Sequence, residues 1–158
     1  MSQAIFRLRE SFNNMNFELT ETKRKHMDEV IQILKGISPY SPPKASYDNI
    51  WTAFNNQPNV YSRVAIYEGS IVGYGVIIIE SKIRGGKVGH IEDIISHSNF
   101  RRKNIGTTIV KSLCDVADSQ GCYKVTLHCK KEQAAFYEKC LFKIGGTGMQ
   151  KFNIEVAP

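Results

Sequence analysis

The sequence predicts a layered α/β fold, in which a mixed, mostly antiparallel sheet is flanked by helices. Three strand-like segments rich in β-branched and aromatic residues follow one another between residues 60 and 96. Segments whose apolar residues recur at helical spacing lie on both sides of them. No repeat, low-complexity tract or long linker divides the 158 residues, so we expect one domain over residues 1–158.

The first part of the chain predicts one strand and two helices. A short strand is expected at residues 16–20, and an amphipathic helix at residues 27–34 that Gly36 ends. Three prolines between residues 39 and 43 then exclude a helix. Apolar residues recur at helical spacing over residues 47–54, which predicts a second helix with Ser46 available as its N-cap.

The middle of the chain predicts a meander of three strands. Residues 60–67 and 70–81 form the first two, and Glu68-Gly69 between them favours a hairpin turn. Gly85-Gly86 supplies the next turn, and residues 88–96 form the third strand. Strands joined by connections this short are antiparallel neighbours.

The last third alternates between helices and strands. Residues 100–106 are basic and loop-like, and an apolar stripe predicts a helix that begins near Thr107 and ends before Gly121. We expect the remaining elements to be a strand at residues 124–129, a short helix at 133–139 and a glycine-interrupted strand at 143–154.

Composition bounds the class of protein. The chain has 21 Lys and Arg against 15 Asp and Glu, a net charge of +6 that fits a nucleic acid, a membrane surface or a phosphorylated small ligand. Its four cysteines show no metal-site or disulfide spacing, which predicts free thiols, no bound metal and a cytoplasmic location. The N-terminal residues lack the apolar core of a signal peptide, and no apolar run is long enough to span a bilayer.

The strongest local signal is the basic loop that enters the long helix. Backbone amides at a helix start bind phosphate oxygens, and Gly106 leaves the space that close approach requires. Neither the P-loop pattern nor G-x-G-x-x-G occurs in the chain. The alternative is an ordinary strand-to-helix turn with a solvated basic run.

This loop resembles the acyl-CoA-binding loop of the GNAT N-acetyltransferase superfamily, whose pattern is [QR]-x-x-G-x-[GA]. Arg101 and Gly106 match it, whereas Asn104 replaces the first glycine. Asparagine tolerates positive φ better than most residues, so we expect Asn104 to hold a left-handed position.

Three further blocks resemble, in order, signature segments of the glucosamine-6-phosphate N-acetyltransferase family. They are KVGHIEDI at residues 87–94, GCYKV at 121–125 and FYEKC at 136–140. The resemblance covers residues 60–152 well, and residues 17–54 only by their pattern of helices and strands. It implies a GNAT fold, with acetyl-CoA as co-substrate and glucosamine 6-phosphate as acceptor.

The resemblance also implies which residues bind acetyl-CoA. The loop would wrap the pyrophosphate through main-chain donors, and residues 91–95 would run beside the pantetheine arm and polarise the acetyl carbonyl. The implied cofactor-binding residues are Ile94, Ile95, Arg101, Arg102, Lys103, Asn104, Ile105, Gly106 and Thr107.

Three catalytic candidates come from the same blocks. Tyr137 matches a family tyrosine that can protonate the departing thiolate, although a tyrosine in such a helix more often packs on the sheet. Glu92 and Asp93 are neighbours on a strand, so they point to opposite faces unless a bulge intervenes. The resemblance makes Asp93 a sugar contact and Glu92 a group that acts through water.

His128 departs from the family, in which an aspartate at the matching position receives the sugar amine. Strand alternation puts Lys124, Thr126 and His128 on one face, and Cys129 on the apolar face. Two interpretations stay open: either His128 accepts the amine proton, or that role lies elsewhere. Substrate-binding candidates are Glu92, Asp93, Lys124 and His128, with Lys124, Lys130 and Lys131 as candidates for the sugar phosphate.

The expected reaction is direct acetyl transfer from acetyl-CoA to the 2-amino group of D-glucosamine 6-phosphate, a step toward UDP-N-acetylglucosamine. We do not expect a covalent enzyme intermediate, because Cys129 and Cys140 fit apolar packing positions better. The resemblance implies a homodimer whose pockets are completed by the partner chain. Two alternatives remain: a protein or peptide amine as acceptor and, more distantly, a nucleic-acid-binding surface; we expect neither a nucleic-acid nor a membrane partner.

Overall fold

In the described part of the chain, five strands form one sheet in the order β1-β2-β3-β4-β5. The structure, a computed structural model, describes residues 16–153. Its strands are β1 (Glu18–Glu21), β2 (Val60–Tyr67), β3 (Ser70–Ser81), β4 (Lys87–Ser96) and β5 (Cys122–Leu127). Its helices are α1 (Met27–Leu34), α2 (Tyr47–Asn55), α3 (Ile105–Ser119) and α4 (Ala134–Lys139).

The pairing follows from the length of each connection. β1 to β4 pair antiparallel, and a turn at Glu68-Gly69, with φ of 48° and 81°, joins β2 to β3. β5 pairs parallel with β4, because the chain crosses back through α3 between them. The predicted mixed, mostly antiparallel sheet is therefore confirmed.

Helices cover both faces of the sheet. On one face α3 packs its buried residues against alternate residues of the strands, including Ala65, Ile77 and Ile91. On the other face α1 packs Val30 against Val64 and its neighbours. Because the faces alternate along each strand, burial on both sides explains why residues 71–77 of β3 are all buried.

Several predicted boundaries shift in the structure. Ser46 precedes α2 without a side-chain cap, because a 3-10 turn at Lys44–Ser46 leads into the helix. The long helix begins at Ile105, two residues before the predicted start, since the buried Ile105 anchors its first turn. β1 and β5 are also displaced from the predicted residues 16–20 and 124–129.

The predicted strand at residues 143–154 is wrong over its described part. Residues 143–153 form neither strand nor helix, and residue 154 lies outside the described residues. Glycines weaken strands, and Gly146 has a φ of 134°, which is incompatible with an extended ladder. Over residues 16–153, no helix has the length and apolar character needed to cross a membrane.

Candidate active site

A cleft opens where β4 and β5 part. The two strands pair from Lys87 and Cys122 as far as Ile91 and Leu127. β5 ends there, whereas β4 continues to Ser96 and remains paired with β3. Within the described residues, β4 therefore has no strand on its β5 side beyond Ile91. The polar backbone groups on that side can bind a ligand, as at any sheet edge.

A β-bulge shapes β4 at this point. Val76 pairs with Glu92 and Tyr74 pairs with Ile95, so two residues of β4 lie opposite Gly75 alone. Asp93, the first of the two, has a left-handed φ of 55°. A β-carbon at position 75 would lie 2.6 Å from Cδ1 of Ile94, so the bulge requires the missing side chain of Gly75.

The bulge is the stated exception to strand alternation, so the two acidic residues need not point to opposite faces. Glu92 pairs with Val76, which packs on the α1 face, so both side chains project to that face. Asp93 lies near Tyr74, another residue of that cluster, and its charge adds to burial in raising the pKa of Tyr74. Both residues keep exposed surface, but the part of Asp93 that is covered by its surroundings loses hydration, which raises the pKa of its carboxyl.

The basic loop turns sharply at two positions before α3. Arg102 and Asn104 have left-handed φ values of 62° and 61°, which confirms the expected conformation of Asn104. The Asn104 carbonyl accepts bonds from the amide and hydroxyl of Thr108, at 3.0 Å and 2.7 Å. The amides of residues 105–107 precede that first helical bond and lie at the positively polarised end of the helix.

Most of the predicted cofactor-binding residues border this loop. Arg101, Arg102, Asn104 and Thr107 are exposed, and Lys103 is partly buried. Ile105 is fully buried, so it can contribute to a bound phosphate through its amide only. A β-carbon at Gly106 would lie 3.1 Å from Cζ of Phe136, so this glycine also permits close packing of α4.

The two isoleucines after the bulge lie on opposite sides of the sheet. Ile94 packs against the α3 cluster, and Ile95 packs against the α1 cluster. Their backbone lies in the part of β4 that has parted from β5, so main-chain contact is their expected contribution to a bound pantetheine arm. The side chain of Ile95 lies against Gly36, which follows the end of α1.

Tyr137 is both a core residue and a candidate acid. Its ring packs in the α3 cluster, edge-on to Phe136 and Phe142 at centroid distances of 4.8 Å and 6.1 Å. Burial raises the pKa of Tyr137 to about 12, with smaller contributions from Cys129 and Cys140. The hydroxyl therefore stays protonated at neutral pH, as a proton donor must.

His128 is the first residue after β5, where the ladder with β4 has ended. The last registered pairs are His90 with Thr126 and Ile91 with Leu127, so Glu92 and His128 are the next residues on each side. The hydroxyl of Thr126 lies 3.1 Å from Nδ1 of His90, which fixes that face of β5. Both His128 and Glu92 are exposed.

The three lysines predicted to bind the sugar phosphate lie at different distances from His128. Lys124 lies four residues from His128 along the chain, about 13 Å in an extended strand, and its amine lies over the ring of Tyr123. Lys130 and Lys131 follow His128 directly and are exposed. Lys130 and Lys131 are therefore nearer to His128 along the chain than Lys124 is.

Cys129 does not occupy the predicted apolar position. It is exposed, because β5 ends at Leu127 and strand alternation no longer applies. Cys140 packs against the α3 cluster as expected, and burial raises the pKa of its thiol, which opposes thiolate formation. Among residues 16–153, no group of three or more His, Cys, Asp or Glu side chains could hold a metal ion.

A separate cavity of about 670 Å³ lies between α1, the β2–β3 turn and the chain after β4. It contains none of the predicted site residues. Two of its carboxylates are already paired: Asp28 with Lys44 at 2.8 Å, and Glu29 with the amide of Ile71 at 2.9 Å. The cleft beside β4 is therefore the better candidate for the chemistry.

Two contacts at the cleft were not predicted from the sequence. Tyr74 lies near Asp93, and Gly148 lies against the His128 ring. A β-carbon at position 148 would lie 2.7 Å from Cδ2 of His128. No local pattern marks either contact, because each joins segments about 20 residues apart.

The cleft defines an acyltransferase that uses a coenzyme A thioester. A loop of backbone donors and basic side chains can hold the diphosphate, and the unpaired edge of β4 can hold the arm that carries the acyl group. The chain belongs to the GNAT acetyltransferase family, whose model matches residues 27–142. It is accordingly an acetyl-CoA-dependent N-acetyltransferase.

Two similar proteins and one solved structure carry the name of one particular enzyme within this family. Glucosamine 6-phosphate N-acetyltransferase from Candida albicans is 32% identical over 90% of this chain and 96% of its own length. The Arabidopsis thaliana enzyme of that name is 43% identical over 53% of this chain and 58% of its own length. The crystal structure of glucosamine-6-phosphate N-acetyltransferase from Arabidopsis thaliana matches with a TM-score of 0.83 and 30% identity, covering 88% of this chain and 99% of that one.

Asp93→Asn should raise the free energy of unfolding at neutral pH. Burial raises the pKa of Asp93, so the folded chain binds its proton more tightly than the unfolded chain, and stability falls as the pH rises through that raised pKa. Asparagine removes the charge and tolerates the left-handed φ. Denaturant unfolding should show the gain at neutral pH and none below the ordinary carboxyl pKa of about 3.9.

Asp28→Asn is the control, because the pKa of Asp28 is shifted in the opposite direction from that of Asp93. A hydrogen bond from Lys44 lowers the pKa of Asp28, so its charge favours the folded state above the folded pKa. Removing that charge should lower the stability slightly or leave it unchanged at neutral pH. A stability gain of equal size in both variants would contradict the effect of burial at Asp93.

Proposed function

We propose that the chain transfers the acetyl group of acetyl-CoA to the 2-amino group of D-glucosamine 6-phosphate, giving N-acetylglucosamine 6-phosphate and CoA. The observation that supports the proposal most directly is the place where the β4–β5 ladder ends, because the acidic pair follows Ile91 on β4 and His128 follows Leu127 of β5. Relatives named for this reaction, one of them matched over nearly its full length, support it. The product would feed UDP-N-acetylglucosamine synthesis.

The acceptor is tested by steady-state assays. At saturating acetyl-CoA, glucosamine 6-phosphate should be acetylated with a kcat/KM far above that for lysine peptides, because in the proposed site the acidic pair and His128 would receive a single sugar amine. Glucosamine without the phosphate is the matched control, and it should react with a higher KM. A preference for lysine peptides would support the alternative acceptor and contradict the proposal.

The basic loop is proposed to hold the diphosphate of acetyl-CoA. Backbone amides of residues 102–107 would donate to the phosphate oxygens, and the exposed Arg101 and Arg102 would add attraction. Asn104 is central because its left-handed conformation turns the loop into α3. Binding here should weaken as salt rises, since the arginines are solvent-exposed.

Substitution of Asn104 tests this loop. Asn104→Gly should retain acetyl-CoA binding, since glycine adopts positive φ without cost. Asn104→Val should weaken binding by roughly tenfold, because the left-handed conformation costs about 1–2 kcal/mol and a β-branched residue fits it poorly. Calorimetry measures both, with melting temperatures as a check on folding. Equal affinity in the two variants would show that the loop conformation is unimportant.

The proposed chemistry is a direct displacement. The sugar amine attacks the thioester carbonyl, and backbone donors on the free edge of β4 stabilise the developing oxyanion. The carbon–sulfur bond then breaks, and the Tyr137 hydroxyl donates its proton to the leaving thiolate. The amine gives up one proton, for which His128 is the proposed acceptor and Glu92 the group nearest along the sheet.

His128→Asp tests the proton acceptor. An imidazole ordinarily titrates near pH ~6.5 and a carboxylate near ~3.9, so the acidic limb of kcat/KM should move to lower pH in the variant. His26→Asn is no suitable control because His26 is buried, so the half-buried His97→Asn is used instead. An unchanged profile in His128→Asp would remove His128 from the mechanism.

We also propose a homodimer that covers the apolar C-terminal surface. Ile144, Met149 and Phe152 are 80%, 92% and 68% exposed. β5 is the last strand of the sheet within residues 16–153, so a second chain can pair or pack there. The partner chain would then border the cleft near His128.

Sedimentation equilibrium tests the dimer. Met149→Asp should shift the chain toward monomer, because it places a charge in the covered surface. Ile83→Asp is the control, since Ile83 is fully exposed in the turn between β3 and β4. A monomeric unsubstituted chain at micromolar concentration would contradict the proposal.

The setting of the enzyme follows from the same features. All four cysteines are free thiols, which supports a reducing compartment such as the cytoplasm. We propose that residues 1–158 form one domain. Its proposed small-molecule partners are acetyl-CoA and the phosphosugar. We propose no nucleic-acid, membrane or metal partner.

A further inference from the structure

Gly148 approaches the His128 ring more closely than any residue with a side chain could. A β-carbon at position 148 would lie 2.7 Å from Cδ2, 3.2 Å from Nε2 and 3.8 Å from Cγ of His128. Carbon atoms in contact are ordinarily 3.5–4.0 Å apart, so the first distance is a clash of roughly 1 Å. The approach is to the Cδ2–Nε2 edge of the imidazole.

The backbone of Gly148 does not itself require glycine. Gly146, in the same segment, has a φ of 134°, which L-residues rarely adopt. Gly148 is not among the described residues with positive φ, so its missing side chain is explained by the contact with His128. Gly145 has neither constraint, because the nearest atom to its β-carbon position is the Lys143 carbonyl oxygen at 3.8 Å.

The segment that carries Gly148 has no ladder to hold it. Residues 143–153 form no helix or strand, so individual contacts such as this one decide where the segment lies. On the other side, His128 follows the last residue of β5 and is exposed, so no strand pairing fixes its ring. Each group therefore limits the position of the other.

We propose that Gly148 is a positioning residue for the acetyl transfer. The absence of a side chain lets the backbone at position 148 lie beside the His128 imidazole without a clash, and a methyl group there would lie against Nε2, the atom that we propose receives the acceptor amine. The inference rests on the proposed function, because it takes the acceptor to be an amine received at His128. It assigns the C-terminal segment a direct part in arranging the cleft.

Gly148→Ala tests the inference, with Gly145→Ala as the matched control. At saturating acetyl-CoA, Gly148→Ala should lower kcat for glucosamine 6-phosphate, by up to about 100-fold for a displacement near 1 Å. When the acetyl-CoA concentration is varied, the KM for acetyl-CoA should be unchanged. The chain has four histidines, and only the His128 ring resonance should move in the NMR spectrum. Gly145→Ala should change neither readout.

A double-mutant cycle identifies the ring as the partner of Gly148. In the His128→Ala background, Gly148→Ala should have no further effect, because the atoms that its methyl group would meet are gone. If Gly148→Ala alone fails to fold, recovery of folding in the double variant carries the same conclusion. An equal loss of kcat in both backgrounds would overturn the inference.

The outcomes separate this inference from the proposed function. Failure of the unsubstituted chain to acetylate glucosamine 6-phosphate would refute the function. A His128 resonance that stays in place in a folded Gly148→Ala variant would refute the inference, whatever the acceptor. Unchanged kcat in Gly148→Ala together with a moved resonance would also refute it, since the ring position would then not matter for transfer.

Discussion

The parting of β4 from β5 is the constraint on which the site depends. Parallel strands that stayed paired to their ends would satisfy each other's backbone groups and leave no room for a thioester arm. Here the ladder stops at Ile91 and Leu127, while β3 continues to hold β4 to its end. The cleft is therefore rigid on one side and open on the other, which is what a preorganised oxyanion site requires.

The bulge at Asp93 makes this geometry useful for chemistry. One extra residue keeps Glu92 on the α1 face, lets Asp93 join it, and returns Ile94 to the α3 core. This arrangement requires glycine at two positions of β3. β-carbons at Gly73 and Gly75 would lie 2.5 Å from Ile105 and 2.7 Å from Ile109, so α3 sits directly on the sheet. The start of α3 and the acidic pair are thus positioned by the same short stretch of β3.

The sequence predicted the elements whose signals are local. The meander at residues 60–96 has alternation, β-branched residues and glycine turns that agree, and its boundaries hold within one residue. The bulge has no such signal, because Glu92 and Asp93 are flanked by isoleucines as in any strand, and only the register with β3 reveals it. The strand expected at 143–154 failed because apolar residues suggested a ladder that glycine torsions do not permit.

Two departures from the family pattern meet at this cleft, and local physics accommodates each. Asn104 holds a left-handed turn that asparagine tolerates, so the loop can keep its path without glycine. The resemblance to the family implies an aspartate where His128 stands, and Glu92 and Asp93 keep two carboxylates on the neighbouring part of β4. In the proposed reaction, an incoming ammonium group would meet the carboxylates of β4 on one side and the imidazole of His128 on the other. Recognition of the amine and removal of its proton can then be separate tasks, carried by β4 and by the chain after β5.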